Sequence, residues 1–451
     1  MAKINVNFDK VVGKIKPMHA VGQPPFLGLD YSKFKYLKEA SIPYSRLHDV
    51  GGVYAQNRYV DIPNIFRDFD ADETDPASYD FAFTDSLICA LMEYDCEPIF
   101  RLGVTIENQR SLKAYRIYPP ADFEKWARVC EHIIRHYNEG WADGFNFGIK
   151  YWEIWNEPEN GLNGVESDNY NQMWIGTDEE FFELYTVAAK HLKACFGDSI
   201  KIGGYGSCGF TGIWLEPEKY GMALPKHEPV PTQAKELHRV DFLYDFLKYI
   251  KEHDAPLEFF TWHSYSIIKK TVIMSGFLDK VLKEFGYSDV ETHLNEWNNA
   301  REKEMRGTSF AAARFSSMML AMQNTNTDMM CFYDARIGIS QYGGLFNPLT
   351  TEPYCAYYGF LSFGYLYNLK NQTECICDDE ELFAVSATDG DKKAIMISNS
   401  SEEDKKLDIC VDLDYTVYLV DEEHHLEKTE LNPARFTLKK DQVALIVNKE
   451  L

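Results

Sequence analysis

Residues 151–159 read Tyr-Trp-Glu-Ile-Trp-Asn-Glu-Pro-Glu. Positions 151–155 form an aromatic-rich run, interrupted by Glu153, that breaks into Asn156, Glu157 and Pro158. Proline has no N–H and a fixed φ, so it ends a strand. The segment therefore predicts a short buried strand with a carboxylate at its carboxyl end. Residues 292–298, Thr-His-Leu-Asn-Glu-Trp-Asn, repeat the pattern and end a strand at Glu296.

Similar runs occur at 16–21, 44–48, 98–103, 201–204, 259–263 and 328–333. Amphipathic stretches follow them at 31–40, 79–94, 120–137, 178–195, 240–252, 276–285, 309–324 and 354–369. Eight strand–helix units predict an α/β fold, a (β/α)8 TIM barrel, over residues 17–370. A doubly wound open sheet rarely needs eight units. Here polar residues end several different strands, which is where a barrel assembles its active site.

Beyond residue 370 short β-type runs appear at 381–387, 393–399, 407–411, 416–420, 436–439 and 443–447, separated by Asp-Gly, Asn-Ser and Asn-Pro turns. They predict a small antiparallel β-sandwich-like accessory domain over 371–451. Residues 3–8 alternate like a strand, so the segment 1–16 is expected to join it.

The chain has 46 basic and 70 acidic residues among 451, a net charge of −24. Nucleic-acid binding needs a cationic surface, so no nucleic-acid partner is expected. No apolar run reaches 18 residues, so no membrane partner is expected either. The start, MAKINVNFDKVVGKIK, lacks the apolar core of a secretory signal. The ten cysteines are scattered, several on apolar faces (Cys89, Cys130, Cys331), as reduced thiols are. Both features lead to the expectation of a cytoplasmic protein. On that expectation the sequons at 371–373 and 399–401 carry no meaning. A homo-oligomer is compatible with the sequence.

Two carboxyl groups at the mouths of different barrel strands can flank one glycosidic bond. Glycoside hydrolysis needs one protonated, to release the leaving group, and one ionised, to attack the sugar carbon. In a retaining enzyme the two sit roughly 5–5.5 Å apart.

The set Arg46-Leu47-His48, Trp155-Asn156-Glu157-Pro158, Trp262-His263-Ser264-Tyr265 and Glu296-Trp297-Asn298 resembles clan GH-A of the retaining barrel glycosidases. Within the clan it resembles family 39, which includes β-xylosidases and α-L-iduronidases. The resemblance implies Glu157 as acid/base and Glu296 as nucleophile. It also implies Asn156 at the sugar 2-hydroxyl, with His48, His263 and Tyr265 lining the subsite. Arg46 is placed to hold the nucleophile ionised, and Trp297 to contact substrate. Relatives carry a tryptophan platform near the last strand, where this chain has Phe332 and Tyr333. Asp334 and Arg336 are then expected in the site. The long segments 159–177 and 211–239 are expected to shape the leaving-group side. The expected substrate is an oligosaccharide or glycoside, cleaved in β-xylosidase fashion from the end of a neutral chain. Arabinosidase, β-galactosidase, β-glucosidase and uronic-acid specificities stay open, as does a sugar-binding protein without turnover.

No metal and no cofactor are expected. Gly204–Gly209 matches GxGxxG, but no helix opens directly after it to hold a pyrophosphate. His132 and His136 stand four apart without a third ligand and read as a solvated helix face. Cys375 and Cys377 lack a second ligand pair. His424 and His425 read as exposed. A metal-dependent barrel hydrolase expects paired histidines after the first strand, and only His19 lies there.

Overall fold

The computed structural model describes residues 1–28, 30–50, 60–105, 117–161, 163, 172–338, 342–410 and 414–451. The parts of the 159–177 segment at 162 and 164–171 lie outside the described residues.

Strand β1 spans Ala2–Lys14. Eight parallel strands then close a barrel: β2 Ala20–Gly22, β3 Tyr44–Leu47, β4 Glu97–Leu102, β5 Tyr151–Ile154, β6 Lys201–Ser207, β7 Phe259–Ser264, β8 Glu291–Trp297 and β9 Met329–Tyr333. The helices among the described residues are α1 Lys35–Glu39, α2 Ile62–Ile65, α3 Ala82–Glu93, α4 Phe123–Glu139, α5 Asp178–Phe196, α6 Gln233–Glu252, α7 Ile268–Phe285, α8 Ser309–Gln323 and α9 Cys355–Leu369. The fold is the (β/α)8 barrel expected from the sequence.

The barrel strands are buried on both faces. Alternation sends Trp152 outward onto Phe100 and turns Tyr151 and Glu153 inward. One interior layer consists of Ala20, Ile99, Tyr151, Phe259, Met329 and Cys331. Above it the interior becomes polar, with Glu153, Asn295 and Arg46 hydrogen-bonded together. Thus the barrel is plugged with apolar side chains at one level and filled with charge toward the carboxyl ends of its strands.

Local chemistry sets the helix boundaries. α5 starts at a capping box, with the Thr177 hydroxyl accepting from the Glu180 amide and the Glu180 carboxylate accepting from the Thr177 amide. α4 ends at Gly140 in the left-handed region. The first barrel strand is only three residues long, against the expected 16–21. Lys16 instead spends its ammonium on the carbonyls of Thr325 and Thr327, tying the entry segment to the turn before β9. α6 and α7 begin seven or eight residues earlier than periodicity indicates, because their first turns are only partly buried and carry no clean apolar stripe.

A nine-stranded sheet follows, ordered β15-β14-β17-β12-β11-β10-β1-β13-β16. Its strands are β10 Asn371–Cys377, β11 Leu382–Thr388, β12 Lys393–Asn399, β13 Lys405–Ile409, β14 Thr416–Val420, β15 His425–Thr429, β16 Arg435–Leu438 and β17 Gln442–Val447. It is antiparallel except where β1 runs parallel to β13. Ile4, Ile395, Ile397, Leu407, Leu419 and Phe436 form a core where the sheet curls on itself. On its other face Val385, Ala394, Met396 and Leu445 belong to the same apolar cluster as the barrel helices. Ser398 donates to the Ala313 carbonyl of α8, and Glu422 accepts from the first amide of that helix.

Among the described residues, all ten cysteines are free. No described helix is long and apolar enough to cross a membrane.

Candidate active site

Glu296 reaches the barrel mouth through a defect in β8. Trp262 pairs with Leu294, but His263 pairs with Glu296, so β8 holds one extra residue between these pairs. A bulge of this kind re-aims side chains. Asn295 and Glu296 therefore both face the interior, where Asn295 donates to Glu153 and Glu296 meets Arg46. The following residue is thrown to the opposite face. Trp297 packs on Phe332, Phe315 of α8 and Phe360 of α9. This corrects the expectation that Trp297 contacts substrate, because its ring is fully buried in the helix layer. Phe332 shares that layer and is no sugar platform. Trp155 likewise packs on Trp126 and Trp174.

Glu157 arrives differently. Trp155 and Glu157 adopt φ of 70° and 47°, left-handed values that cost about 1–3 kcal/mol each for residues with a side chain. The zigzag turns the chain sharply after β5. The Glu157 amide then bonds to the carbonyls of Tyr205 and Gly206 on β6. Its carboxylate meets Nδ1 of His263 at 2.8 Å and accepts from Asn160 at 3.3 Å.

The two glutamates converge. An oxygen of Glu157, an oxygen of Glu296 and a ring nitrogen of His263 all lie within 4.8 Å of one another. Arg46 forms the floor of the site. Its Nε donates to Glu153 at 2.7 Å, Nη1 to Glu296 at 2.7 Å and Nη2 to the Asn156 side-chain oxygen at 2.7 Å. Arg46 is buried, and its charge is tolerable there because two carboxylates neutralise it and the Asn156 oxygen accepts from its remaining nitrogen. The Tyr265 hydroxyl donates to the other oxygen of Glu296 at 2.7 Å. The nucleophile candidate thus sits between a guanidinium and a phenol, one donating to each of its carboxylate oxygens.

The third side of the site is aromatic. Tyr265, Tyr333 and Tyr342 contact one another edge-on or tilted, with centroids 5.1–6.4 Å apart. The Tyr333 hydroxyl donates to Asp49 at 2.7 Å and accepts from Gln23 at 2.9 Å. Arg336 lies beside it and donates to Asp334 at 2.9 Å. Nε2 of His48 stands 3.2 Å from Asp49 and 3.9 Å from Glu296.

Burial lowers the His48 pKa far below its ordinary value, reinforced by the charges of Arg46 and Arg101, so His48 is neutral. His263 goes the other way. Burial opposes its charge, but Glu296 and Glu157 outweigh that and raise its pKa. For Glu157, burial pushes the carboxyl up, and the hydrogen bond and charge of His263 bring it below its ordinary value. Behind it, Glu159 is buried and pushed up to about 7, by desolvation first and the Glu157 charge second. Its carboxyl accepts from the Ser207 hydroxyl and the Cys208 amide. Among the described residues, Nδ1 of His48 and Nε2 of His263 have no hydrogen-bond partner.

Glu157, Glu296, Arg46, His48, Asn156, His263, Tyr265, Tyr333 and Arg336 are therefore brought to one end of the barrel. The sequence reading missed Glu153 and Asn295, although charged and amide groups inside apolar strands are a signal. It also missed Gln23, Asp49, Asn160 and Tyr342, which loops deliver and no periodicity marks. The other histidine pair is packed rather than solvated. His136 contacts Asp85 and the Trp141 carbonyl and stacks on Phe81. His19 packs at a tilt against Phe363 and Tyr367 in the helix layer. The glycine-rich run 204–209 fits between strands. A Cβ on Gly204 would meet the Ile154 carbonyl at 2.6 Å, and one on Gly209 the His263 carbonyl at 2.4 Å.

Comparison with known proteins follows the same lines. Over 217 residues the chain is 28% identical to a β-xylosidase of Caldicellulosiruptor saccharolyticus, covering 45% of this chain and 40% of that protein. Over 214 residues it is 22% identical to a β-xylosidase of Geobacillus stearothermophilus, covering 45% and 34%. These matches span between about a third and two fifths of the curated relatives' length. The crystal structure of a glucosidase from Croceicoccus marinus superposes with a TM-score of 0.75 at 19% identity, over 100% of this chain and 99% of that one. A GH39 β-xylosidase from Caulobacter crescentus gives 0.65 at 18%, over 99% and 100%. Both share the fold. The family model described as glycosyl hydrolases family 39 matches residues 3–332, most of the chain, and the protein belongs to that family.

Proposed function

We propose that the protein is a retaining glycoside hydrolase acting by double displacement, with Glu296 as nucleophile and Glu157 as acid/base. The approach of the two carboxylates to within 4.8 Å carries this reading. An inverting enzyme needs about 6.5–9.5 Å, to seat a water between sugar and base. Arg46 and Tyr265 each donate to one oxygen of Glu296 and fix its orientation. The proton for the leaving group belongs to the Glu157–His263 pair. It reaches the glycosidic oxygen through Glu157. Once the sugar neutralises Glu296, Glu157 acts as base toward water. The Asn156 side-chain oxygen is held by Arg46, which leaves its amide nitrogen as the donor for the sugar 2-hydroxyl. The unpaired ring nitrogens of His48 and His263 suit a hydroxyl-rich ligand.

A neutral sugar cleaved in β-xylosidase fashion is the substrate this reading favours. The names of the curated relatives support it, and so does Arg336, whose charge is spent on Asp334. A panel of nitrophenyl glycosides tests the assignment, with the xyloside expected to turn over fastest. Glu296→Gln is expected to lower kcat by at least about 10⁴-fold, the scale of losing a reacting group. Glu157→Ala should hydrolyse poor leaving groups slowly, and its turnover of an activated nitrophenyl glycoside should rise with added azide, which attacks the glycosyl-enzyme without a base. A Glu296→Gln enzyme as active as wild type would overturn the proposal.

A further inference from the structure

On the outer layer of the barrel α4 and α5 lie against each other. Glu131 projects from α4. His191 and Cys195 stand one turn apart on α5 and so share a face. Nε2 of His191 is 2.6 Å from Oε2 of Glu131 and 3.7 Å from Sγ of Cys195. All three donor atoms lie within 4.8 Å of one another. Arg135, a turn further along α4, donates Nε to the other carboxylate oxygen of Glu131 at 2.8 Å. That bond turns Oε2 toward the imidazole, as outer partners of metal ligands do.

A thiol, an imidazole and a carboxylate in contact could also describe a cysteine nucleophile with its base and orienting acid. Such a relay needs both ring nitrogens, one for each partner. Here sulfur and carboxylate address the same nitrogen, Nε2. The ring cannot draw a proton from sulfur while that same nitrogen is held by the acid. Three donors converging on one point describe a chelate instead. Tetrahedral zinc, with bonds of about 2.1 Å to nitrogen and oxygen and about 2.3 Å to sulfur, sets N···S near about 3.6 Å and N···O near about 3.4 Å. The His191–Cys195 separation already matches. The Glu131–His191 separation must open by less than about 1 Å, which partly exposed side chains can do.

We infer that Glu131, His191 and Cys195 form a site for a zinc-class divalent cation that staples α4 to α5, with water completing the coordination. The ligand set mixes thiolate, imidazole and carboxylate, which suits zinc or cobalt and disfavours magnesium or calcium. Binding replaces the thiol proton, S–H giving way to S–M with the proton released to solvent. Because the thiol must lose its proton to bind, affinity rises with pH. The two helices flank β5, the strand that leads to Glu157. The ion therefore braces the scaffold and takes no part in bond cleavage.

Cobalt titration of the intact, chelator-treated protein tests this. The wild type should develop a thiolate-to-cobalt charge-transfer band that saturates at one equivalent. Cys195→Ser should abolish the band, and His191→Gln should weaken binding at least tenfold. Cys208→Ser, near the glutamates, should keep the band. Zinc should displace the cobalt and raise the Tm of the wild type but not of Cys195→Ser, while glycosidase activity of that variant is unchanged. A wild type without the band, or a band that survives in Cys195→Ser or vanishes in Cys208→Ser, would overturn the site.

Discussion

The titration of His263 is the most sensitive reporter of the site. Its imidazole lies 2.8 Å from Glu157 and 3.6 Å from Glu296, and Glu296 is the larger charge that raises its pKa. In Glu296→Gln that charge is gone, so the His263 pKa is expected to fall, as followed by NMR titration of the ring protons. The unchanged value would mean that the two side chains do not communicate. The sign for stability follows. A raised folded pKa stabilises the protein fully below the ordinary histidine value of 6.5, and the contribution is lost as pH rises through the folded value. The variant should therefore lose less stability than wild type across that window. At this scale the sequence was informative about Glu157, because an aromatic run breaks at Asn156-Glu157-Pro158, and about Glu296 through the resemblance its motif carries. It was silent about Asp49, Gln23 and Tyr342, whose positions depend on loop paths with no repeating pattern.

Elements aim these residues through irregularities rather than through regular strands. The bulge in β8 turns Glu296 inward and Trp297 outward, and strict alternation cannot foresee that inversion. Gly206, at the end of β6, is a comparable device. Its φ is 66°, and a Cβ there would meet the Asn156 oxygen at 3.0 Å and Arg46 Nη2 at 3.2 Å. Gly206→Ala is expected to cost about 1–3 kcal/mol of stability, from backbone strain, and to lower kcat by displacing Asn156. Gly276 of α7 makes the contrast, since a Cβ there meets nothing within 4 Å. Gly276→Ala should stabilise the helix by about 0.5–1 kcal/mol and leave kcat alone. Urea titration and steady-state kinetics on the two variants check both halves. Equal effects from the two would show that the β6 glycine has no special place. The GxGxxG match is legible in the same terms: its glycines admit neighbouring backbone, not a nucleotide.

For the whole molecule, barrel and accessory sheet share one apolar core. Val385, Ala394, Met396 and Leu445 of the sheet belong with Ala312, Phe315 and Phe360 of the barrel helices. Ser398 and Glu422 add hydrogen bonds to α8. Such a continuous interface should unfold as a unit, so calorimetry is expected to show a single transition, and two resolved transitions would contradict a shared core. The alternation of apolar runs with helical stretches made the barrel legible, since an open sheet rarely needs eight βα units and polar residues end several of the strands. The sheet's curl and the parallel pairing of β1 with β13 were not, because pairing partners far apart in sequence leave no local mark.

The account rests on a covalent sugar–Glu296 intermediate. Incubation with a 2-deoxy-2-fluoro-β-xyloside carrying a good leaving group, followed by mass spectrometry of proteolytic peptides, observes it directly. One fluoroxylosyl group is expected on the peptide containing Glu296, with activity returning as it hydrolyses. Turnover of the parent xyloside with inverted anomeric product, or a label on Glu157 in place of Glu296, would contradict the account.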